Sequence, residues 1–175
     1  DGNGVIDGDD QVRQEKSFTP TLQYGITLDM SYKNFDLSLL FQGSAGGLSY
    51  LFNGEFGDWG NFYKYQHDNR WSIDNPSRVH PRLASRGDTW YTGGGYGNNT
   101  YNYGSTDYLR LKNIELGYNL PQSALGQQGF ISNLRLFASG LNLLTFTEFD
   151  MTDPEVANRT YPLSKVWNLG IRVNF

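Results

Sequence analysis

Two stretches near the start of the chain alternate apolar and polar residues without a break in phase. Within residues 21–32 every even position is apolar and every odd position is polar or glycine. After Lys33 and Asn34 the alternation resumes over residues 35–42, with Leu40 as its exception. Successive side chains of a β-strand point to opposite faces, so each stretch predicts a strand with one apolar face and one solvated face.

The two-residue gap between these strands predicts a tight β-hairpin. A turn at Lys33 and Asn34 would pair Tyr32 with Phe35 and Ile26 with Phe41, which places the apolar residues of both strands on one face. Asn34 tolerates the positive φ that two-residue hairpin turns require, so we expect that φ at this position. Turn length and face assignment therefore agree independently.

Three further strands are predicted over residues 106–119, 132–147 and 165–175. In the first, the apolar phase shifts between Leu111 and Ile114, which predicts a β-bulge near Lys112 and Asn113. The second is less regular, because apolar residues also occupy positions on its polar side. Strands of about 10 to 14 residues exceed the usual length of about 5 to 6 and suit a tilted membrane-spanning strand.

The connections fall into two sets if the strands alternate in direction. Residues 33–34 and 120–130 make short links at one end, the turn end, whereas 1–20, 44–105 and 148–164 make long links at the other, the loop end. Short turns on one side and long loops on the other are typical of bacterial outer-membrane barrels, as are aromatic girdles at both interfaces. The aromatic residues predicted for the girdles are Tyr32, Phe35, Tyr118, Phe130 and Phe175 at the turn end, and Tyr24, Phe41, Tyr108, Phe146 and Trp167 at the loop end.

Composition supports a chain with one lipid-facing and one wet face. Mean hydropathy is −0.55, yet the 175 residues include 11 Phe, 4 Trp and 12 Tyr. A net charge of −4 argues against nucleic acid as a partner, and the absence of cysteine excludes a disulfide scaffold and Cys-ligated metal sites. Single-chain bacterial barrels have at least about eight strands, so five strands predict a piece of a larger barrel. A soluble carbohydrate-binding β-sandwich is the alternative, and it would bury the apolar face against a second sheet.

The first ten residues resemble a calcium-binding loop of the EF-hand kind. If Gly4 is the sixth position, oxygen ligands fall at the third, fifth, seventh, ninth and twelfth positions, and the first ligand lies two residues before the chain starts. We expect Ca²⁺ here in the intact protein, and a Gly/Asp-rich turn with solvated carboxylates is the alternative. The predicted ligands are Asp1, Asn3, Val5 through its carbonyl, Asp7 and Asp10.

The link over residues 44–105 is rich in aromatic residues set among Gly and Asn. Aromatic rings stack on sugar C–H groups and amides bind hydroxyls, so these residues are candidate contacts for a glycan or for a partner subunit. The alternative is that they pack the loop against itself. Glu55 and Asp58 could form a glycosidase pair, but two carboxylates three residues apart in a Gly-rich loop are common and do not by themselves indicate catalysis. The candidate contacts are Trp59, Tyr63, Tyr65, Trp71, Trp90, Tyr91 and Tyr96.

Several motifs in one order give the chain a family resemblance. It resembles the C-terminal part of a SusC/RagA-type TonB-dependent outer-membrane transporter, with residues 48–107 matching least. The motifs are Phe35-Asp36-Leu37-Ser38, Phe41-Gln42-Gly43, Tyr108-Leu109-Arg110-Leu111-Lys112-Asn113-Ile114, Gly117-Tyr118-Asn119-Leu120-Pro121, Asn142-Leu143-Leu144-Thr145-Phe146-Thr147, Asp153-Pro154-Glu155 and Val173-Asn174-Phe175.

The resemblance implies an all-β fold in which this chain supplies the last five antiparallel strands of a 22-stranded transmembrane β-barrel, the plugged-lumen class. Residues 1–20 would be an extracellular loop, and residues 21–175 would be barrel strands with long extracellular loops at 44–105 and 148–164. It further implies uptake of an oligosaccharide, or alternatively a peptide, without enzymatic chemistry. The implied partners are the remaining barrel and plug, a SusD-like surface lipoprotein, the TonB complex through an N-terminal region outside this chain, and membrane lipid. Phe175 would be the terminal aromatic residue that the barrel-assembly machinery recognises.

Overall fold

The computed structural model describes residues 2–4, 9, 11–50, 64–82, 100–125, 130–149, 153–156 and 161–175. No helix in these ranges is both long enough and apolar enough to cross a membrane. A 3₁₀ turn covers Thr100–Asn102. In chain order the elements are β1 (Leu22–Tyr32), β2 (Phe35–Ala45), β3 (Leu48–Tyr50), α1 (Lys64–Asn69), β4 (Tyr103–Ser105), β5 (Tyr108–Asn119), α2 (Gln122–Leu125), β6 (Asn133–Thr147) and β7 (Val166–Asn174).

Five of these strands form one antiparallel sheet in the order β1-β2-β5-β6-β7. They are the five strands that the alternation predicts, and their bounds differ from the predicted ones by three residues at most. The short strands β3 and β4 pair with each other in a separate two-stranded sheet at the loop end. Ser17 joins this region through a parallel bridge to Gly47. Neither short strand carries enough alternating residues to be predicted.

The β1–β2 hairpin has the predicted register. Tyr32 pairs with Phe35, and the ladder continues through Ile26 opposite Phe41 to Leu22 opposite Ala45. The expectation for the turn itself was wrong in one detail, because the positive φ of 55° falls on Lys33 and not on Asn34. A two-residue hairpin turn can have positive φ at its first central residue alone, which here is Lys33, and the apolar pairs still fix the register.

The predicted bulge is present on β5 and is matched by a second irregularity on β6. Leu40 of β2 pairs with Asn113 and Phe41 with Leu111, so Lys112 is the extra residue. On the other side Leu111 pairs with Leu144 and Asn113 with Leu141, which leaves Asn142 and Leu143 opposite Lys112. Asn142 adopts φ 55°. The two irregularities lie at one level of the sheet. β5 has one extra residue there and its apolar positions change parity, whereas β6 has two and keeps its parity, so the apolar side stays continuous across both strands.

The side of the sheet that carries the apolar set, the apolar face, is exposed. Leu169 is 88% and Trp167 75% exposed. The described residues provide no second sheet that packs against this face. A β-sandwich would cover it, so the sandwich alternative has no support in this fold. The exposed members are Leu22, Tyr24, Ile26, Leu28, Met30, Tyr32, Phe35, Leu116, Leu136, Leu144, Phe146, Trp167, Leu169, Ile171 and Val173.

The buried residues concentrate at the loop end. Tyr108, Arg110, Leu111 and Phe149 are the main buried side chains there. Tyr108 is a correction to the predicted aromatic girdle, since it pairs with Ser44 and Thr147 and lies on the opposite, polar side of the sheet. The sequence position of Tyr108 suggested the girdle, but its parity before the bulge directs its ring to the polar face.

Candidate functional site

The other side of the sheet, the polar face, carries two clusters of charged side chains. The Arg110 cluster lies at the loop end and consists of Arg110, Lys112, Thr145, Asp153 and Glu155. The Arg135 cluster lies at the turn end and consists of Asp36, Glu115, Asn119 and Arg135. The strand residues of both clusters lie on this face because side chains alternate along each strand, with the apolar residues on the opposite face.

Arg110 uses each nitrogen of its guanidinium group. Nε donates to Thr145 Oγ1 at 2.9 Å, Nη1 to Glu155 Oε2 at 2.7 Å and Nη2 to Asp153 Oδ1 at 2.7 Å. The guanidinium carbon lies 5.4 Å from the ring centroid of Tyr108, within cation–π range. The side chain of Arg110 is 2% exposed. Because the guanidinium group is planar and binds the carboxylates of both Asp153 and Glu155, it fixes the angle at which the loop after β6 approaches the sheet.

Lys112 adds a second cation to the same carboxylate. Its Nζ donates to Glu155 Oε1 at 2.6 Å and to Oε2 at 2.8 Å. Lys112 is the extra residue of the β5 bulge, which puts both Lys112 and Asn113 on the polar face. The bulge therefore keeps the apolar face in phase and also leaves the Lys112 amine on the side where Glu155 lies.

Asp153 connects the two ends of the described part of the loop after β6. Its Oδ1 accepts the Glu155 N–H at 3.0 Å and its Oδ2 accepts the Leu163 N–H at 3.1 Å. Burial raises the pKa of Asp153, but the hydrogen bonds from Arg110 and from these backbone N–H groups outweigh burial and hold the pKa below its usual value. Asp153 is therefore ionised at neutral pH and pairs with Arg110.

This loop forms one side of a cleft of about 420 Å³ at the loop end of the polar face. Pro154, Glu155 and Val156 line one side, and residues of the sheet and of the segment before β1 line the others. The volume lies in the range of small-ligand sites, about 300–1,000 Å³. Its remaining lining residues include Phe18, Pro20, Gln23, Ser44 and Tyr108.

The Arg135 cluster joins three neighbouring strands. Arg135 on β6 donates through Nε to Asp36 Oδ1 at 3.1 Å and through Nη2 to Asp36 and to Glu115, the latter at 2.8 Å. Asn119 donates to Asp36 Oδ1 at 2.8 Å. Gly117 leaves room for the guanidinium group, since a Cβ there would lie 2.3 Å from Arg135 Nη2.

Phe137, which breaks the alternation of the predicted strand, supports this cluster. Its ring lies over Gly170, where a Cβ would approach the ring to 2.4 Å. The guanidinium carbons of Arg135 and Arg172 lie 5.5 Å and 5.9 Å from its centroid. An aromatic ring on the polar face is therefore explained by two cations and one glycine.

The predicted calcium ligands lie mostly outside the described residues. Asn3 is described and exposed, whereas Asp1, Val5, Asp7 and Asp10 are outside. Gly2 and Gly4 adopt φ of 83° and 82°. In the described ranges no three acidic or histidine side chains come together as a metal site. The calcium site stays a prediction.

Most of the predicted aromatic contacts also lie outside the described residues. The exceptions are Tyr65, whose backbone belongs to α1, and Trp71, which is 41% exposed. The Trp71 N–H donates to the Pro81 carbonyl at 3.1 Å, and Ser72 and Asn75 exchange backbone hydrogen bonds. Trp71 thus stands on a locally hydrogen-bonded turn. The others, outside the described ranges, are Trp59, Tyr63, Trp90, Tyr91 and Tyr96.

The sequence did not identify the Arg110 cluster as a site. Its residues lie in the motifs at 108–114 and 153–155, which carry the family resemblance but indicate no physical role. The cations on the strand and the acids on the loop are 43 and 45 residues apart, and no sequence spacing predicts a contact over that distance. The one signal in the sequence is the predicted bulge next to two cations, Arg110 and Lys112. Phe175, the predicted assembly signal, follows β7 and is exposed.

Comparison with known proteins identifies the relatives of the chain. No family model matches it. TonB-dependent receptor P3 of Formosa agariphila is 35% identical over 193 residues, which cover 100% of this chain and 18% of that receptor. TonB-dependent receptor SusC of Bacteroides thetaiotaomicron is 26% identical, over 99% of this chain and 17% of SusC. Among solved structures, the RagAB peptide importer in the open-open state has a TM-score of 0.70 at 27% identity, over 98% of this chain and 19% of that one.

The chain thus spans about a fifth of the length of the relatives that it matches. Its sheet has two open edges, at β1 and β7, within the described residues. An exposed apolar face and a polar face with ion-paired clusters are the two surfaces of a membrane barrel wall. The chain belongs to the SusC/RagA-type TonB-dependent receptors, and its five-stranded sheet is part of the larger barrel of such a receptor.

Proposed function

We propose that this chain forms part of the wall of a bacterial outer-membrane receptor that imports a nutrient by TonB-dependent gating. The observation that carries the proposal is the two-sidedness of one sheet, with exposed Leu169 and Trp167 on the apolar face and buried Arg110 on the polar face. Lipid can cover the first face, and a wet lumen can solvate the second. The function is transport and involves no bond-making chemistry.

The partners follow from the same geometry and from the relatives. The open edges of β1 and β7 carry backbone groups that the remaining barrel strands would pair, since an unpaired edge inside a membrane is costly. The apolar face would contact membrane lipid. A plug inside the barrel, a SusD-like surface lipoprotein and the TonB complex are the further partners that we infer from the family.

For the substrate we infer an oligosaccharide, with a peptide as the alternative. The aromatic residues of the 44–105 link support a glycan, and Trp71 stands exposed on its turn there. The structural relative RagAB is described as a peptide importer, which supports the alternative. We also propose that the N-terminal loop binds Ca²⁺ in the intact receptor, and isothermal titration without a Ca²⁺ signal would remove that site.

Fractionation and uptake measurements test the function. We expect the full-length receptor in the outer-membrane fraction, with a gel mobility that changes on heating, as folded barrels show. A deletion strain should lose growth on one glycan or peptide of a panel and recover it with the receptor gene restored. A receptor that is soluble without detergent, or a deletion strain that grows normally on every glycan and peptide, would contradict the proposal.

A further inference from the structure

We propose that Arg110 and Lys112 are positioning residues of the transport path. They hold Asp153–Val156 against the polar face, so that Pro154 and Val156 form one side of the 420 Å³ cleft and restrict what enters it. This inference rests on the proposed function for its transport consequence, but the contact itself is independent of transport.

The contacts between this segment and β5 are concentrated on two carboxylates. Arg110 bonds both Asp153 and Glu155, and Lys112 bonds both oxygens of Glu155. The pairs join a loop to a strand, whereas the acids of the Arg135 cluster come from strands already held by backbone ladders. The Arg110 cluster therefore controls a segment whose place the backbone ladder does not fix.

The energetics favour a positioning role over simple stabilisation. Four charged side chains are partly or wholly removed from water here, and apolar residues of similar size would often hold two surfaces together at least as well. Ion pairs with a planar fork add a defined geometry. The Asp153 hydrogen bonds to the N–H groups of Glu155 and Leu163 extend that geometry along the loop.

The cleft depends on this placement. Pro154 and Val156 flank Glu155 in sequence, so the ion pairs at Glu155 keep two apolar residues in a lining that they share with Phe18 and Tyr108. If Asp153–Val156 moved away from the sheet, the cleft would lose one side. A ligand that fits it would then bind more weakly, while the rest of the path would be unchanged.

The experiment compares variants of the full-length receptor in detergent and in cells. In Arg110→Ala we expect amide hydrogen exchange to rise about tenfold or more in peptides that contain Glu155 and Leu163. In cells we expect the nutrient concentration for half-maximal uptake to rise several-fold, with a smaller fall in the maximal rate. Arg110→Lys keeps the charge without the fork and should lie between wild type and Arg110→Ala.

Arg135→Gln is the matched control, because Arg135 also pairs with two carboxylates on the polar face, but both of these come from strands, at the turn end of the sheet. It should leave exchange at Glu155 and Leu163 unchanged. Glu155→Gln serves as a milder second variant if Arg110→Ala fails to fold, and it should show the same exchange increase to a smaller degree. Unchanged exchange in both the Arg110 and Glu155 variants would overturn the positioning role. A wild-type receptor that imports nothing, with the exchange effect present, would overturn the proposed function and leave the positioning contact standing.

Discussion

Arg110 and Arg135 lie on the same face of the same sheet and each pairs with two carboxylates, yet their surroundings differ. Arg110 is 2% exposed and its acids come from a loop, while Arg135 is 12% exposed and its acids come from adjacent strands. Every guanidinium nitrogen of Arg110 has a partner. Nη1 of Arg135 is buried without one among the described residues.

The difference shows that the role of an ion-pair cluster in a β-sheet depends on whether the backbone ladder already holds its partners in place. Where the backbone ladder already sets the distance between partners, as between Asp36 and Arg135, the ion pair lies on the polar face of strands whose positions do not depend on it. Where one partner is on a loop, as with Asp153, the pair determines the position of that loop. The same chemistry therefore predicts different consequences when it is removed at the two ends of the sheet.

Loss of Arg110 should have the largest effect. Arg110→Ala removes the cation that pairs with the nearly buried Asp153 and leaves Glu155 with Lys112 alone, which costs about 3–5 kcal/mol for a buried ion pair. The temperature at which the folded band converts on heated gels should fall clearly below that of wild type. A conversion temperature equal to that of Arg135→Gln would remove the distinction between the clusters.

Asp153→Asn should destabilise the receptor at neutral pH by about 1.5–3 kcal/mol, the range for hydrogen bonds to charged groups. The folded pKa of Asp153 lies below the ordinary value of 3.8, so its contribution is present above that pH and is lost as the pH falls through the lowered pKa. The difference in conversion temperature between wild type and Asp153→Asn should therefore shrink only below about pH 4. A difference that already vanishes at pH 6 would contradict this ionisation.

Gly170→Ala tests the support under the Arg135 cluster. A Cβ would come within 2.4 Å of the Phe137 ring, which must shift and move the two arginines that flank it. We expect a loss of about 1–3 kcal/mol, as for overpacking. Gly25→Ala on β1, where the nearest atom to a new Cβ is 3.7 Å away, is the control and should change the conversion temperature much less.

Arg135→Gln should cost about 1 kcal/mol, because its carboxylates remain partly solvated. A loss as large as that of Arg110→Ala would show that a cross-strand cluster matters as much as a loop-holding one.

Lys64→Ala should have no measurable effect on the conversion temperature. Lys64 and Asp68 form an exposed pair one turn apart on α1, far along the chain from both clusters. A measurable fall in the conversion temperature would show that exposed ion pairs also contribute to stability. The effects of the Arg110 and Arg135 variants would then have to be compared with that fall and not with zero.

Sequence reasoning predicted the sheet well because strand alternation is local. The alternation over residues 21–42 assigned side chains to the two faces and located the turn, which together predicted the register. The structure confirms that register from Tyr32–Phe35 to Ile26–Phe41. The phase change at Lys112 likewise located the bulge. The predicted φ at Asn34 was wrong because φ depends on the turn geometry. The predicted side of Tyr108 was wrong because Tyr108 has the opposite parity to Leu109 and Leu111, the apolar residues before the bulge.

The candidate site was harder to predict because its parts come from distant positions. Asp153 and Glu155 follow β6, and nothing in their spacing from Arg110 indicates contact. Phe137 and Leu143 are apolar residues at polar positions of the strand predicted over residues 132–147, and the alternation alone does not explain them. Phe137 is explained by Arg135, Arg172 and Gly170, and Leu143 by the irregularity at Asn142, which turns its side chain toward Gly140.

The sequence by itself determined that this chain makes long antiparallel strands with one apolar and one polar side. Apolar and polar residues alternate along each strand, and successive side chains of a strand point to opposite faces. Its motifs also identified the family. Only the tertiary structure decided which charges meet, since strand order and the path of the loop after β6 bring Arg110, Lys112, Asp153 and Glu155 together. Ion pairs need atoms within a few ångströms, and that proximity is a property of the folded sheet and not of sequence separation.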